Sequence, residues 1–219
     1  MSGGGRIGTV CVGAARQQRY ADGRTERTAI DKRPADGPVA TGPLGLTGDT
    51  QVDRRHHGGV DRAVYAYAQA DADHWAAALD RDVPPGLLGE NLRTVDLDVS
   101  GARIGERWTT AGGVVLEVTA PRMPCRTLQG FLDVPDIIAR FTAAGRPGAY
   151  LRVVAPGELA AGDAVRVERP GDVAAAPSVA EVMAWRAGAA TGDDLRRLAV
   201  LPALAEDLRA WATSALERG

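Results

Sequence analysis

The stretch ENLRTVDLDVSGARIGERWTTAGGVVLEVTA (residues 90–120) contains three short segments, ENLRTVDL, ARIGERWTT and GVVLEVTA, separated by turns that carry glycine. Short runs of β-branched and aromatic residues at roughly ten-residue spacing predict strands joined by tight turns. The same reading extends outward. RIGTVCVGAA (6–15) and RAVYAYA (62–68) read as strands upstream, GAYLRVVAPG (148–157) and DAVRVERP (163–170) downstream. QADADHWAAALDRD (69–82) reads as a helix that leans Trp75 and Leu79, four positions apart, onto the core. DVPDIIARFTAAG (133–145) reads as a short helix closed at Gly145, where a left-handed cap fits. Residues 31–53 place Gly and Pro at close intervals and read as turns. The sum is a mainly β fold with interposed helices, a β-barrel-like body.

Composition shifts at RPGDVAAAPS (169–178), which divides the chain into a body (1–168), a linker (169–177) and a helical appendage (178–219). Ser178 with Glu181 makes a capping box ahead of VAEVMAWRAG, closed by Gly188. Thr191 caps the next helix, and Pro202 stands where a third would begin. Three short helices bury little surface alone, so they are expected to dock on the barrel.

At 219 residues the chain holds one substantial core, and its net charge of −2 gives no cationic field for nucleic acid or an anionic membrane. No stretch approaches the roughly 20 apolar residues of a membrane helix, and the start MSGGGRIGTV is unlike a signal peptide. Two cysteines in unlike surroundings make no disulfide framework, which points to a reduced, cytoplasmic protein, with a Cys11–Cys125 bridge as the alternative. Of 26 basic residues only Lys32 is a lysine, so a single arginine carries little information outside a motif.

Three stretches could carry chemistry. RRHHGGVDRAVYAY (54–67) packs Arg54, Arg55, His56, His57 and Arg62 around two glycines, either an anion site or a solvated basic turn. GLLGENLRT (86–94) offers the Asn91 amide, which could instead satisfy loop backbone. APRMPCRTLQG (120–130) holds Cys125 directly after a proline, with Arg122 and Arg126 close by. Cations favour the thiolate, and a thiolate is a soft metal ligand or a nucleophile; the plain alternative is an inert, half-buried thiol. Zinc is disfavoured by the lack of a CxxC pair and by only three histidines. A Cys125–His57 catalytic pair stays open. Cys11 reads as core.

Together HHGGVDRAVYAY, GLLGENL, IGERW, LEVTAPRMPCRTL and GRPGAYLRVVAPGELAAGDAVRV resemble, in order and spacing, the MOSC family, named for the C-terminal domain of molybdenum cofactor sulfurases, and within it the stand-alone YiiM-type members. The tail from Ser178 to Glu217 resembles their three-helix C-terminal domain. Where family members often have lysine, Arg62 stands here. The resemblance implies a molybdenum cofactor, Mo-molybdopterin, with Cys125 as the protein ligand to the metal and the catalytic residue. It offers His57, Arg62, Asn91, Arg122 and Arg126 as cofactor contacts. It further implies reduction of N-hydroxylated compounds, such as hydroxylaminopurines, to amines, with electrons from a separate flavin or iron–sulfur reductase. The alternative is a cofactor carrier or sulfur-handling protein without turnover of its own; a pyridoxal-phosphate desulfurase domain has no room in this chain.

Overall fold

The computed structural model describes residues 4–53 and 58–218. β1 (Gly4–Val12) is followed by the polar hairpin β2 (Arg16–Arg19) and β3 (Thr25–Thr28), then by the short β4 (Arg33–Pro34), β5 (Val39–Gly42) and β6 (Gly45–Leu46). A 3-10 turn (Val60–Arg62) enters β7 (Val64–Ala68), α1 (Gln69–Leu79), β8 (Leu92–Val95), β9 (Arg107–Thr110) and β10 (Val115–Pro121). Next come α2 (Arg126–Leu132), α3 (Ile137–Ala144), β11 (Ala149–Ala155), β12 (Glu158–Leu159) and β13 (Ala164–Glu168). The chain ends in α4 (Val179–Ala184), which runs on through a π turn (Trp185–Ala189), then α5 (Gly192–Ala199) and α6 (Glu206–Arg218).

Seven strands close into a ring in the order β13-β9-β10-β11-β7-β8-β1, and β1 returns to β13 with Gly4 opposite Arg166. Closure leaves no open edge in the ring. Neighbours are antiparallel except β7 and β8, whose parallel pairing requires the crossover that contains α1. The barrel-like, mainly β body expected from the strand spacing is this ring.

Period-two patterning shows where one face of a strand meets water: β9 and β13 alternate buried with more exposed residues. β7 is buried at all five positions. Tyr67 on β7 packs against Phe141, ring centroids 6.3 Å apart, and Trp75 of α1 stacks on Phe141 at 5.4 Å and 6°. The indole N–H donates to the Tyr67 hydroxyl at 2.8 Å, which donates to the Arg146 carbonyl at 2.9 Å, so the aromatic cluster leaves neither polar tip unmatched. Gly148 is required here. Its φ is +65°, and a Cβ would lie 2.5 Å from the Ala66 carbonyl oxygen.

The structure departs from the sequence reading in three places. Within residues 31–53 the turns enclose β4, β5 and β6, each too short to rise above the Gly and Pro signal. Residues 126–132, to which the sequence reading assigned no element, form α2. The last helix starts at Glu206 rather than Pro202, because the Glu206 N–H is taken by the Asp61 carboxylate at 3.0 Å from the barrel side. Both capping boxes form: the Ser178 hydroxyl accepts from the Glu181 N–H, and that of Thr191 from the Asp194 N–H.

The C-terminal helices pack on the barrel. The Ala205 N–H donates to the Thr119 carbonyl at 3.0 Å, and the Val179 N–H to that of Ala102 at 2.9 Å. Leu204, Ala205 and Ala212 are buried in that seam.

Candidate functional site

β10 brings the cysteine stretch to the barrel rim. Its register with β11 shifts between Val118 and Ala120, a bulge of the kind that bends a strand and re-aims the residues beyond it. Pro121 ends the strand, Arg122 turns inward, and Cys125 sits immediately before α2 in an extended conformation. A cavity of about 420 Å³ opens there. Of the expected site residues, Arg62, Asn91, Arg122 and Cys125 line it together. Arg126 does not: its side chain is exposed on the first turn of α2, and its carbonyl accepts from Arg24 at 3.3 Å. His57, like Arg54, Arg55 and His56, lies outside the described residues.

Each lining residue has a local cause. Glu90, fully buried, accepts from the N–H groups of Gly86 at 2.9 Å and Leu88 at 3.0 Å and from the Arg93 guanidinium. That carboxylate winds the GLLGEN turn and sets Asn91 at the cavity. The Asn91 amide then works mainly within the protein. Its oxygen accepts from the Tyr65 N–H at 3.1 Å, and its nitrogen donates to the Cys11 carbonyl at 3.2 Å. One N–H is left over, so the loop-satisfying reading of this residue accounts for most of its bonding capacity.

Arg122 is the unusual group. Only 4% exposed, it lies over the rings of Tyr65 and Phe141 at 5.6 and 5.9 Å. Among the described residues its one hydrogen bond is a long one, 3.4 Å from Nη1 to the Leu88 carbonyl, and Nε has no partner. Burial works against the charge. Cys125 and, when ionised, the phenols of Tyr65, Tyr150 and Tyr67 outweigh it and hold the guanidinium above its ordinary pKa. Burial likewise pushes Tyr65 and Tyr150 up, so both present neutral phenols to the cavity. A buried, permanently charged guanidinium with an idle donor beside a cysteine sulfur is an arrangement that awaits an anion.

Two other cations on the cavity, Lys32 and Arg62, are already matched. Lys32 forms a buried ion pair with Asp49, whose oxygen also accepts from the Gly13 N–H at 2.8 Å. Arg62 pairs with Asp207 of α6. Lys32 and Asp49 were missed as site residues. Seventeen positions apart in a turn-rich stretch, they form no motif; the one available signal was a lone lysine in an otherwise all-arginine chain.

The hairpin of β2 and β3 forms a further wall, with Glu26, Arg27 and Thr28 on the cavity. It rests on α2 through Tyr20, whose ring would clash at 2.8 Å with any Cβ at position 130. Gly130 therefore allows the hairpin to sit this close to the cysteine. Cys11 is fully buried on β1, and burial pushes its thiol up to about 12. Neither cysteine is in a disulfide. Among the described residues no three His, Cys, Asp or Glu side chains are grouped to hold a metal by themselves, and no helix is long and apolar enough to cross a membrane.

Barrel rim, cavity, thiol and buried guanidinium thus meet at one place in the fold. The chain belongs to the MOSC domain family, whose model matches residues 53–166; it is a family of molybdenum-cofactor-binding domains. The chain is 34% identical to the protein YiiM of Escherichia coli over 77% of its own length and 75% of that protein. It is also 34% identical to a protein named reductase from Gibberella moniliformis, over 73% of this chain but 29% of that longer one. Among solved structures it resembles YiiM from Geobacillus stearothermophilus (TM-score 0.79, 25% identity, covering 97% of this chain and 99% of that one). YiiM from Escherichia coli superposes with a TM-score of 0.71 at 27% identity, over 85% and 89% of the two chains.

Proposed function

We propose that this chain binds the molybdenum cofactor with Cys125 as the protein ligand to the metal, and reduces N-hydroxylated compounds to amines. The observation that carries the reading is Arg122, a buried guanidinium with an unpartnered Nε in the same cavity as Cys125. The donor set fits the group. One soft thiolate suits molybdenum, and the cofactor's phosphate and dithiolene charge suit Arg122. When bound, the cofactor supplies two-electron redox chemistry.

The protein's part is to bind and orient. Arg122 places positive charge next to the Cys125 sulfur, where the ligating form is the anion. Arg62 and the spare Asn91 N–H offer further donors. Tyr65, Tyr150 and the Lys32–Asp49 pair line the remaining wall and exclude bulk water from it. The overall reaction breaks the N–O bond of a hydroxylamine and forms one N–H bond and water, consuming two electrons and two protons. A separate flavin or iron–sulfur reductase in the cytoplasm provides the electrons.

The test is turnover of 6-hydroxylaminopurine by protein reconstituted with the cofactor, with a chemical electron donor. Conversion to adenine that depends on the loaded protein supports the reading. A loaded protein that releases cofactor intact to an acceptor apoenzyme and makes no adenine overturns it in favour of a carrier.

A further inference from the structure

We infer that Asp207, on the C-terminal helix α6, is a positioning residue for the cavity: it holds the Arg62 guanidinium ready for an anionic ligand. The inference rests on the cofactor reading for the identity of the physiological ligand, but its geometry stands on its own. Arg62 lines the cavity with its side chain 9% exposed, while Asp207, 145 positions away, is 51% exposed on the outside. Nη2 of Arg62 donates to both carboxylate oxygens of Asp207, at 2.7 and 2.8 Å. The guanidinium carbon lies 5.8 Å from the centre of the Tyr150 ring. One nitrogen is thus fixed by the carboxylate, and the guanidinium lies over the ring. Nε and Nη1 make no hydrogen bond to a described residue.

Asp207 is itself held. The adjacent Glu206 N–H donates to the Asp61 carboxylate at 3.0 Å, and the other oxygen of Asp61 accepts from Arg152 at 2.8 Å. Consecutive residues of the 3-10 turn, Asp61 and Arg62, therefore bind consecutive residues of α6, Glu206 and Asp207. The helix cannot shift along the barrel without moving the arginine. An arginine loses side-chain freedom when it grips a ligand, and one already held in place loses less. The C-terminal helices would then contribute to ligand affinity without touching the ligand.

Two effects of Asp207 oppose each other, since its charge also competes for the guanidinium. Half-exposed, that charge is screened by solvent, so pre-ordering of the buried arginine decides the sign. Replacing Asp207 with alanine should weaken binding about three- to tenfold.

The experiment is a double-mutant cycle on the full chain, with wild type, D207A, R62A and R62A/D207A titrated with molybdopterin and with inorganic phosphate. Unfolding midpoints are recorded for each variant to confirm the fold. D207A is expected to weaken binding in the wild-type background and to have no further effect once Arg62 is gone. Equal loss in both backgrounds, or tighter binding by D207A, overturns the inference. Phosphate binding with the expected cycle but no molybdopterin binding would remove the cofactor reading and leave the role of Asp207 intact. If wild type binds neither probe, both fall.

Discussion

Replacing Arg122 with methionine should leave the ligand-free protein about as stable as before while destroying its binding site. Arg122 is 4% exposed, and among the described residues its only hydrogen bond is 3.4 Å long and its Nε has no partner. Exchanging such a buried charge for an apolar side chain of similar volume is neutral or stabilising by about 1–4 kcal/mol. Against this stand two cation–π contacts, over Tyr65 and Phe141, each worth about 0.5–1 kcal/mol and somewhat more when dry. At the middle of both ranges the two nearly cancel, which leaves the balance within about 2 kcal/mol of zero. At roughly 2–4 °C per kcal/mol for a chain of this size, thermal unfolding of the ligand-free R122M protein should occur within about 8 °C of the wild-type temperature. The same change removes the buried partner of an anion, which costs about 2–5 kcal/mol of binding, or roughly 30-fold to several-thousand-fold in Kd. The two assays are calorimetric unfolding and molybdopterin titration. A midpoint lowered by more than about 8 °C would show that Arg122 holds the fold together, and the reasoning from its unmatched charge would fail.

Three further outcomes rest on particular residues. At pH 8 a small alkylating reagent should modify Cys125 in the native protein and spare Cys11, whose buried thiol is pushed up to about 12; mass spectrometry of the two peptides decides, and equal labelling contradicts the assignment. Ser178→Ala should cost about 1 kcal/mol, read as a fall of roughly 2–4 °C in Tm, because the hydroxyl caps α4. The Ser178 N–H, opposed by burial, holds the Glu181 carboxyl below its ordinary 4.5. A depressed folded value means that this stabilisation is complete above 4.5 and lost as the pH falls through the lower, folded value. The stability gap between wild type and E181A should therefore be constant near neutral pH and close in acid; a gap that persists at pH 2 would count against it.

Features written in local sequence were legible, and those made by distant meetings were not. The strands at 90–120 announce themselves because glycines separate short β-branched runs, and the capping boxes because Ser178 with Glu181 and Thr191 with Asp194 lie within one turn. β7 is buried on both faces, so it carries no alternation, and only its tyrosines suggest a strand. The hairpin of β2 and β3 is polar throughout, RQQR against TERT, and gives no apolar signal, although it walls the cavity. The closure of β1 on β13 pairs residues about 160 positions apart, beyond any local pattern. Within the site, proline and arginine marked Cys125 and Arg122 as unusual. Burial and the idle Nε that make Arg122 an anion site exist only in three dimensions. Asn91 was read as a ligand contact or a loop staple, and its bonds to Tyr65 and Cys11 are those of a staple with one donor to spare. The Arg62–Asp207 pair joins two elements that neither sequence segment foretells.

The central claim is that Cys125 ligates the metal of a bound cofactor and that turnover depends on it. It is tested most directly by reconstituting wild type, Cys125→Ser and Cys11→Ser proteins with the molybdenum cofactor and measuring bound molybdenum together with hydroxylaminopurine reduction by a chemical donor. Serine nearly matches cysteine in size, and Cys125 is half-buried at the cavity, so the fold should survive with a loss within about 1–2 kcal/mol. The account predicts that the Cys125→Ser protein retains part of its cofactor through Arg122 and its neighbours but loses turnover, while Cys11→Ser retains both. Undiminished reduction by the Cys125→Ser protein would contradict it.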